Sequence, residues 1–337
     1  MHSLDRYLRI VAGTARPRFQ VARSTPADLP ALAGECWKEH ERSLEQAKGA
    51  LDLPARERAE YSLLDLKVAL TRRHQTSCTL CPWRCAADRE GGQVGHCGVL
   101  RPKISSDFVH LGEEAPLVPS YTVFFSGCNL RCVFCQNYEI STRPDRGIVY
   151  SPEELAERLD AALRTSRPGR GSIRNINWVG GDPIPALPYI LEVLQELEGN
   201  IAQIWNSNMY LEEESMRLLD GTMDIYLTDL KFGNDACARR LCGVNNYTAV
   251  VLHNHLLAVN QGEVLVRHLQ LPGHLECCTI PLIDWLAENI PDVPVNLMAQ
   301  YRPCHKAWSH RELRAPLSRE EHLRAVDHAR HKGLSLL

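Results

Sequence analysis

The sequence predicts an α/β fold in which parallel βα units curve into a partial (β/α)6 barrel behind an N-terminal helical and cysteine-rich segment. Three observations carry this. From residue 121 onward, six short β-branched or apolar runs alternate with stretches of helical spacing, as parallel βα units require. Two helix starts in that region carry capping boxes, Ser151 with Glu154 and Ser318 with Glu321. Six units in roughly 215 residues leave the barrel open, since a closed eight-stranded one needs about 250.

Taken in order, residues 27–74 place apolar positions at helical spacing among many charges ("LPALAGECWKEHERSLEQAKGALDL", "ARERAEYSLLDLKVALTRRH") and read as two helices, so 1–74 is an N-terminal helical segment. Residues 75–120 hold four cysteines, several glycines and little periodicity, and read as a loop-rich element held by metal rather than by a core of its own. The barrel, 121–337, follows. Its strands are "YTVFFS" (121–126), "NINWVG" (175–180), "IAQIWN" (201–206), "MDIYLTDL" (223–230), "EVLVRHLQL" (263–271) and "VPVNLMAQY" (293–301). Pro152 opens one capped helix and Gly333 stops the other.

The chain has 337 residues, 44% of them hydrophobic, which is enough for a full core. Its formal charge of −3, from 38 Lys and Arg against 41 Asp and Glu, supplies no basic field for nucleic acid or an acidic membrane. No apolar run approaches the roughly 20 residues that span a bilayer, and the N-terminus lacks a signal-peptide pattern, so a cytoplasmic location is expected. Thirteen cysteines in a reducing compartment point to metal rather than disulfides.

Three of those cysteines lie on one short loop, "FFSGCNLRCVFCQN", where Cys128, Cys132 and Cys135 are spaced C-x3-C-x2-C with Phe134 before the last. Thiolates select iron-sulfur clusters or zinc. A [4Fe-4S] cubane wants four protein ligands, so three cysteines leave one iron open to a further ligand, whereas a zinc loop would recruit its fourth ligand from elsewhere. The loop follows the first barrel strand at its C-terminal end, where barrel active sites lie. Cys78, Cys81, Cys85 and Cys97 form a complete set of four suited to a closed site, with zinc or an auxiliary [4Fe-4S] cluster both fitting.

Cys237, Cys242, Cys277, Cys278 and Cys304 fall in segments after the fourth, fifth and sixth strands. They are either inert buried thiols or a functional group: a second auxiliary cluster, a hydrogen-atom donor or a redox pair, with Cys277, Cys278 and Cys304 the catalytic candidates. His253 and His255 stand two apart on a helical pattern, share no face, and are assigned no metal. The basic run "RPCHKAWSHRELR" reads as a solvated face or as a surface that meets an anionic substrate.

"GCNLRCVFCQN" resembles the cluster loop of the radical S-adenosylmethionine (radical SAM) superfamily, whose motif C-x3-C-x-aromatic-C is matched by Cys128, Cys132, Phe134 and Cys135. In that family the open iron is chelated by the amino and carboxylate groups of SAM. "WVGGDP" is similar to the family's GGEP element and implies Gly180, Gly181 and Asp182 beside the SAM amino group, with Asp182 one methylene shorter than the commoner Glu. "WNSNMY" and "LTDLKF" look like SAM-side elements of pyruvate formate-lyase activating enzymes and imply Asn206, Ser207, Asp229 and Lys231 near SAM; for Asp229 and Lys231 a local ion pair is the other reading. "LVRHLQLPGH" resembles a strand of that group and makes Arg267 a candidate to neutralise the SAM carboxylate. "QYRP" stands where the group often has P-Y-H, placing Tyr301 and Arg302 near SAM with changed chemistry.

Residues 75–337 are most similar to uncharacterised homologues of pyruvate formate-lyase activating enzyme, which share "SCTLCPWRC…GHCG", "HLGEEAPLVPS" and "LMAQYRP". The resemblance implies reductive cleavage of SAM at a [4Fe-4S] cluster to methionine and a 5′-deoxyadenosyl radical, which takes hydrogen from a small-molecule or peptide substrate. It further implies an electron donor such as flavodoxin or ferredoxin. One alternative is an activating enzyme that installs a glycyl radical on a partner protein. Another is a non-catalytic iron-sulfur or zinc module, which would have no need of SAM-side elements. The extra N-terminal helices and cysteine site are expected to cover the barrel mouth, which favours direct modification of a substrate.

Overall fold

The computed structural model describes residues 4–29, 33–54, 57–166 and 171–337. Seven strands form one open sheet in sequence order: β1 (Ile104–His110), β2 (Ser120–Phe125), β3 (Asn175–Gly180), β4 (Ala202–Ser207), β5 (Ile225–Asp229), β6 (Glu263–Leu269) and β7 (Val295–Met298). The runs read from the sequence are β2 to β7, each parallel to its neighbour. Both capping boxes form, with Ser151 and Ser318 each accepting from the backbone N–H three residues on.

β1 is an addition to that reading. It runs antiparallel to β2 along the edge, inside the stretch read as a loop-rich element. Of "ISSDFVH" only Ile104 is buried, while Phe108 and Val109 are exposed, so there was no apolar alternation to mark a strand.

Among the described residues, α1 (Asp5–Val11), α2 (Arg18–Ser24), α3 (Ala33–Gly49), α4 (Leu63–Thr71) and the single turn α5 (Arg73–Thr76) precede the sheet. α3 and α4 are the two helices that the spacing marks; residues 30–32 and 55–56 of those stretches lie outside the described residues. α4 packs between α3 and the outer helix Leu187–Glu196. α1 does something different. Its Tyr7 and Ile10, with Leu4, share an apolar cluster with Leu117 and with alternate residues of the strands: Ala202 and Ile204 of β4, Ile225 and Leu227 of β5, and Leu265 of β6. Alternate residues on a strand share one face, here the inner one, so α1 plugs the barrel at the N-terminal ends of its strands.

Two carboxylates anchor α1 and α2. Glu263, the first residue of β6, accepts from the N–H groups of Arg6 (2.8 Å) and Tyr7 (2.7 Å), satisfying donors that a helix start leaves open. Asp224 accepts from Arg18 (2.9 Å) and Gln203 (2.8 Å), tying the start of α2 to β4. The N-terminal helices therefore close the bottom of the barrel and lie along its outside, contrary to the expectation that they cover its mouth.

Candidate functional site

The cysteine loop leaves β2 at its C-terminal end and forms one wall of a cavity of about 370 Å³. Cys128, Cys132 and Cys135 all face it, together with Phe134, whose ring packs edge-on against Phe232 at 6.0 Å. No three of the site's sulfurs lie within 4.8 Å of one another. Burial pushes the Cys128 thiol well above its ordinary range, and the Cys242 thiol, together with burial, does the same to Cys132. Thiols in such surroundings are poor nucleophiles; a metal is what makes their thiolates affordable.

The cysteine loop is gripped from behind. Arg131 and Val133 donate their N–H groups to Cys242 O (3.1 Å) and Leu241 O (2.8 Å), at the end of the helix Asp235–Cys242. Cys304 places its sulfur 3.3 Å from Phe134 O and 3.4 Å from Cys135 O.

The adjoining wall is backbone. Gly180 has φ +137°, and a Cβ there would lie 2.1 Å from Phe125 O; one on Gly181 would lie 2.1 Å from Gly127 O. Only glycine lets the β3 turn come so close to the cysteine loop. Asp182 is spent on holding this turn: its carboxylate accepts from the Ser207 hydroxyl (3.0 Å), Asn208 N–H (2.8 Å) and Ile184 N–H (3.0 Å). It lines the cavity as a brace, and burial raises its pKa to about 6. Asn206 faces the same space, and Asn208, which the motif reading missed, directs its amide at Cys128 Sγ (3.8 Å) and Asn129 Oδ1 (2.9 Å).

At the mouth, Lys231 and Asp229 form an ion pair at 2.6 Å. Burial opposes the Lys231 charge, but Asp229 more than offsets it and holds the ammonium above its ordinary pKa. Arg267, the register partner of Asp229 on β6, is engaged by two acids of the "LGEEAPL" loop. Its Nε donates to Glu114 Oε1 at 2.8 Å, and its remaining fork meets Glu113 and Glu114. Asn296 also donates to Glu114 (2.8 Å) and Asn177 to Glu113 (3.1 Å). Burial alone would raise Glu114, yet Arg267 and Asn296 hold it below its usual carboxylate value. Arg267 was expected to meet the SAM carboxylate; two carboxylates are already on its guanidinium, and of this cluster Arg267 and Glu113 line the cavity. The cluster's only sequence signal was an adjacent Glu pair in a Gly- and Pro-flanked loop.

Four other expected residues lie elsewhere. Tyr301 is buried away from the cavity, donating its hydroxyl to Leu313 O (2.6 Å), and Arg302 is exposed. Cys277 and Cys278 do not line the cavity but gather with Cys237. Cys78, Cys81, Cys85 and Cys97 do converge, on a small space beside the cysteine loop that Asn129 and Pro185 also line. Trp83 donates to Asn129 O (2.8 Å), so this second site is joined directly to the first.

A family model described as the radical SAM superfamily matches residues 122–286, from β2 through β6 and the helix beyond. The chain belongs to the radical SAM superfamily. An uncharacterized protein of Methanocaldococcus jannaschii, MJ0674, is 40% identical over 343 residues, covering 99% of both chains. Among solved structures, a radical SAM methyltransferase from Sphaerobacter thermophilus is 15% identical with a TM-score of 0.45, covering 65% of this chain and 65% of that one. Streptococcus suis SuiB bound to precursor peptide SuiA is 17% identical with a TM-score of 0.45, covering 62% of this chain and 46% of that one. Radical SAM enzymes use a [4Fe-4S] cluster and SAM, and the cavity fits both: three thiols on one wall, and beside them a turn whose glycines keep backbone accessible. No helix among the described residues is long and apolar enough to cross a membrane.

Proposed function

We propose that the chain reductively cleaves SAM and directs the resulting radical at a substrate held at the barrel mouth. The convergence of Cys128, Cys132 and Cys135 with the Gly180–Gly181 turn on one cavity carries this reading. Bound there, a reduced [4Fe-4S] cluster would supply the electron that splits the sulfonium into methionine and a 5′-deoxyadenosyl radical able to take hydrogen from a small molecule or peptide. The three cysteines hold the cluster and the open backbone of the β3 turn receives the SAM amino group. Asp182 keeps that turn docked to β4. Asn206, with the Asp229–Lys231 pair, offers polar contacts to the nucleoside and carboxylate ends. Glu113 and Arg267 of the buried acid–guanidinium cluster line the cavity, and α1 seals the barrel at the N-terminal ends of its strands.

Cys78, Cys81, Cys85 and Cys97 are read as an auxiliary [4Fe-4S] site. Zinc at a Zn–S distance of about 2.3 Å would draw tetrahedral thiolates to roughly 3.8 Å from one another. No three of these sulfurs come within 4.8 Å, a spacing they share with the Cys128 loop. A cubane, which places its own iron and sulfide between its cysteines, suits both. Its place beside the catalytic loop suits electron delivery, with flavodoxin or ferredoxin as donor in a reducing cytoplasm. The N-terminal helices do not cover the mouth, so they no longer favour a small substrate over the glycyl loop of a partner protein.

The test is anaerobic reconstitution with iron and sulfide, followed by incubation with SAM and dithionite. Deoxyadenosine that vanishes in Cys132→Ala, with about eight irons per wild-type chain, is the expected result. A fully loaded protein whose electron paramagnetic resonance signal ignores SAM would make the chain a non-catalytic iron-sulfur module.

A further inference from the structure

Outside the cavity, Cys237, Cys277 and Cys278 bring their sulfurs within 4.8 Å of one another, the tightest thiol group among the described residues. Cys237 sits in the first turn of the helix Asp235–Cys242, after β5; Cys277 and Cys278 sit on the π-helical turn Leu275–Thr279, after β6. The Cys237–Cys277 separation is 3.8 Å and the Cys277–Cys278 separation 3.9 Å. Those values match the edge of a thiolate tetrahedron around zinc, about 3.8 Å for a Zn–S bond of about 2.3 Å. They are far from a disulfide, about 2.05 Å.

The surroundings are arranged to hold this geometry. Asn234 caps the helix by accepting from Cys237 N–H (2.8 Å), and its amide donates to Cys277 O (2.7 Å) and reaches Cys278 Sγ (3.7 Å). Gly233 is what allows the two segments to meet: a Cβ there would lie 2.8 Å from Cys278 Cα and 2.7 Å from Cys278 O. The helix start is directed at the sulfurs, and Arg240, whose guanidinium is paired with Glu312, also contacts Cys237 and His274. Cys278 is buried, Cys237 half-buried and Cys277 exposed, so one side of the triad faces solvent.

We propose that Cys237, Cys277 and Cys278 bind one zinc ion as a three-thiolate site whose fourth position is open to water or an exogenous ligand. Binding releases the three thiol protons to solvent and involves no redox step. The site joins the segment after β6 to the helix whose last carbonyls, Leu241 O and Cys242 O, hold the cysteine loop. Zinc there clamps the catalytic loop from outside. This inference does not depend on the radical chemistry proposed above.

The experiment is zinc and iron analysis of anaerobically purified, reconstituted protein given one equivalent of Zn2+ and desalted, comparing wild type with Cys237→Ser and Cys278→Ser. One zinc per wild-type chain, lost from both variants while iron stays the same, is the expected result. Should a variant fail to fold, zinc-edge X-ray absorption of the wild type decides: three sulfurs and one lighter atom support the site, whereas four sulfurs would assign the metal to Cys78–Cys97 and overturn it. Equal zinc in wild type and variants, or no zinc retained by the wild type, overturns it as well.

Discussion

The cavity depends on two residues whose neighbours leave them no substitute. Gly180 combines a positive φ with a Cβ position 2.1 Å from Phe125 O, so Gly180→Ala must push the β3 turn off the cysteine loop. We expect a loss of about 2–4 kcal/mol in urea unfolding, together with SAM binding too weak to detect by equilibrium dialysis. Arg267 is the other. Its side chain is 12% exposed and its two partners 7% and 5%, so Arg267→Met strands two carboxylates in the interior. The expected cost is about 3–5 kcal/mol, with partial recovery when Glu113→Gln and Glu114→Gln are added. A variant of unchanged stability that only weakens SAM binding would instead return Arg267 to the role its motif suggested.

At the scale of elements, legibility followed periodicity. β2 to β7 were readable because the faces of a parallel sheet packed on both sides form continuous apolar runs, and the capped helices because Ser151 and Ser318 each carry their Glu three residues on. β1 and α1 were not. β1 is an exposed edge strand, and α1 is seven residues long with an apolar face meaningful only against the inner surface of β4, β5 and β6. Tyr7 is the centre of that plug, fully buried with its hydroxyl accepting from Asn175 (2.9 Å). Tyr7→Ala is expected to cost about 3 kcal/mol and to lower the thermal midpoint without changing iron content, measured by calorimetry of the reconstituted protein.

Over the whole molecule, one buried contact gives the N-terminal helices a pH dependence of their own. Lys67 on α4 is fully buried with its ammonium 2.7 Å from His40 Nε2 on α3 and 3.1 Å from Arg217 O. Burial lowers its pKa to about 7, against an ordinary value of 10.5, and lowers that of His40 too. Between pH 7 and 10.5 the unfolded chain holds a proton that the folded one lacks, so stability from this group rises with pH across that window and is lost as pH falls toward 7. Lys67→Met should flatten the dependence of urea midpoint on pH between 7 and 10 and stabilise the protein at pH 7 by about 1–4 kcal/mol. A midpoint profile identical to wild type would show that the amine is not the titrating group.

The sequence by itself determined the three-cysteine loop, the order of the parallel strands and the two capped helix starts, because each is written in residues a few positions apart. Only the tertiary structure decided that Glu114 meets Arg267 across 153 residues, that α1 lies beneath the barrel and not over it, and that Cys237 joins Cys277 and Cys278 while Cys304 leans on the catalytic loop. Such pairings are set by where the barrel's curvature brings strand ends and loops together, and no local spacing encodes that distance.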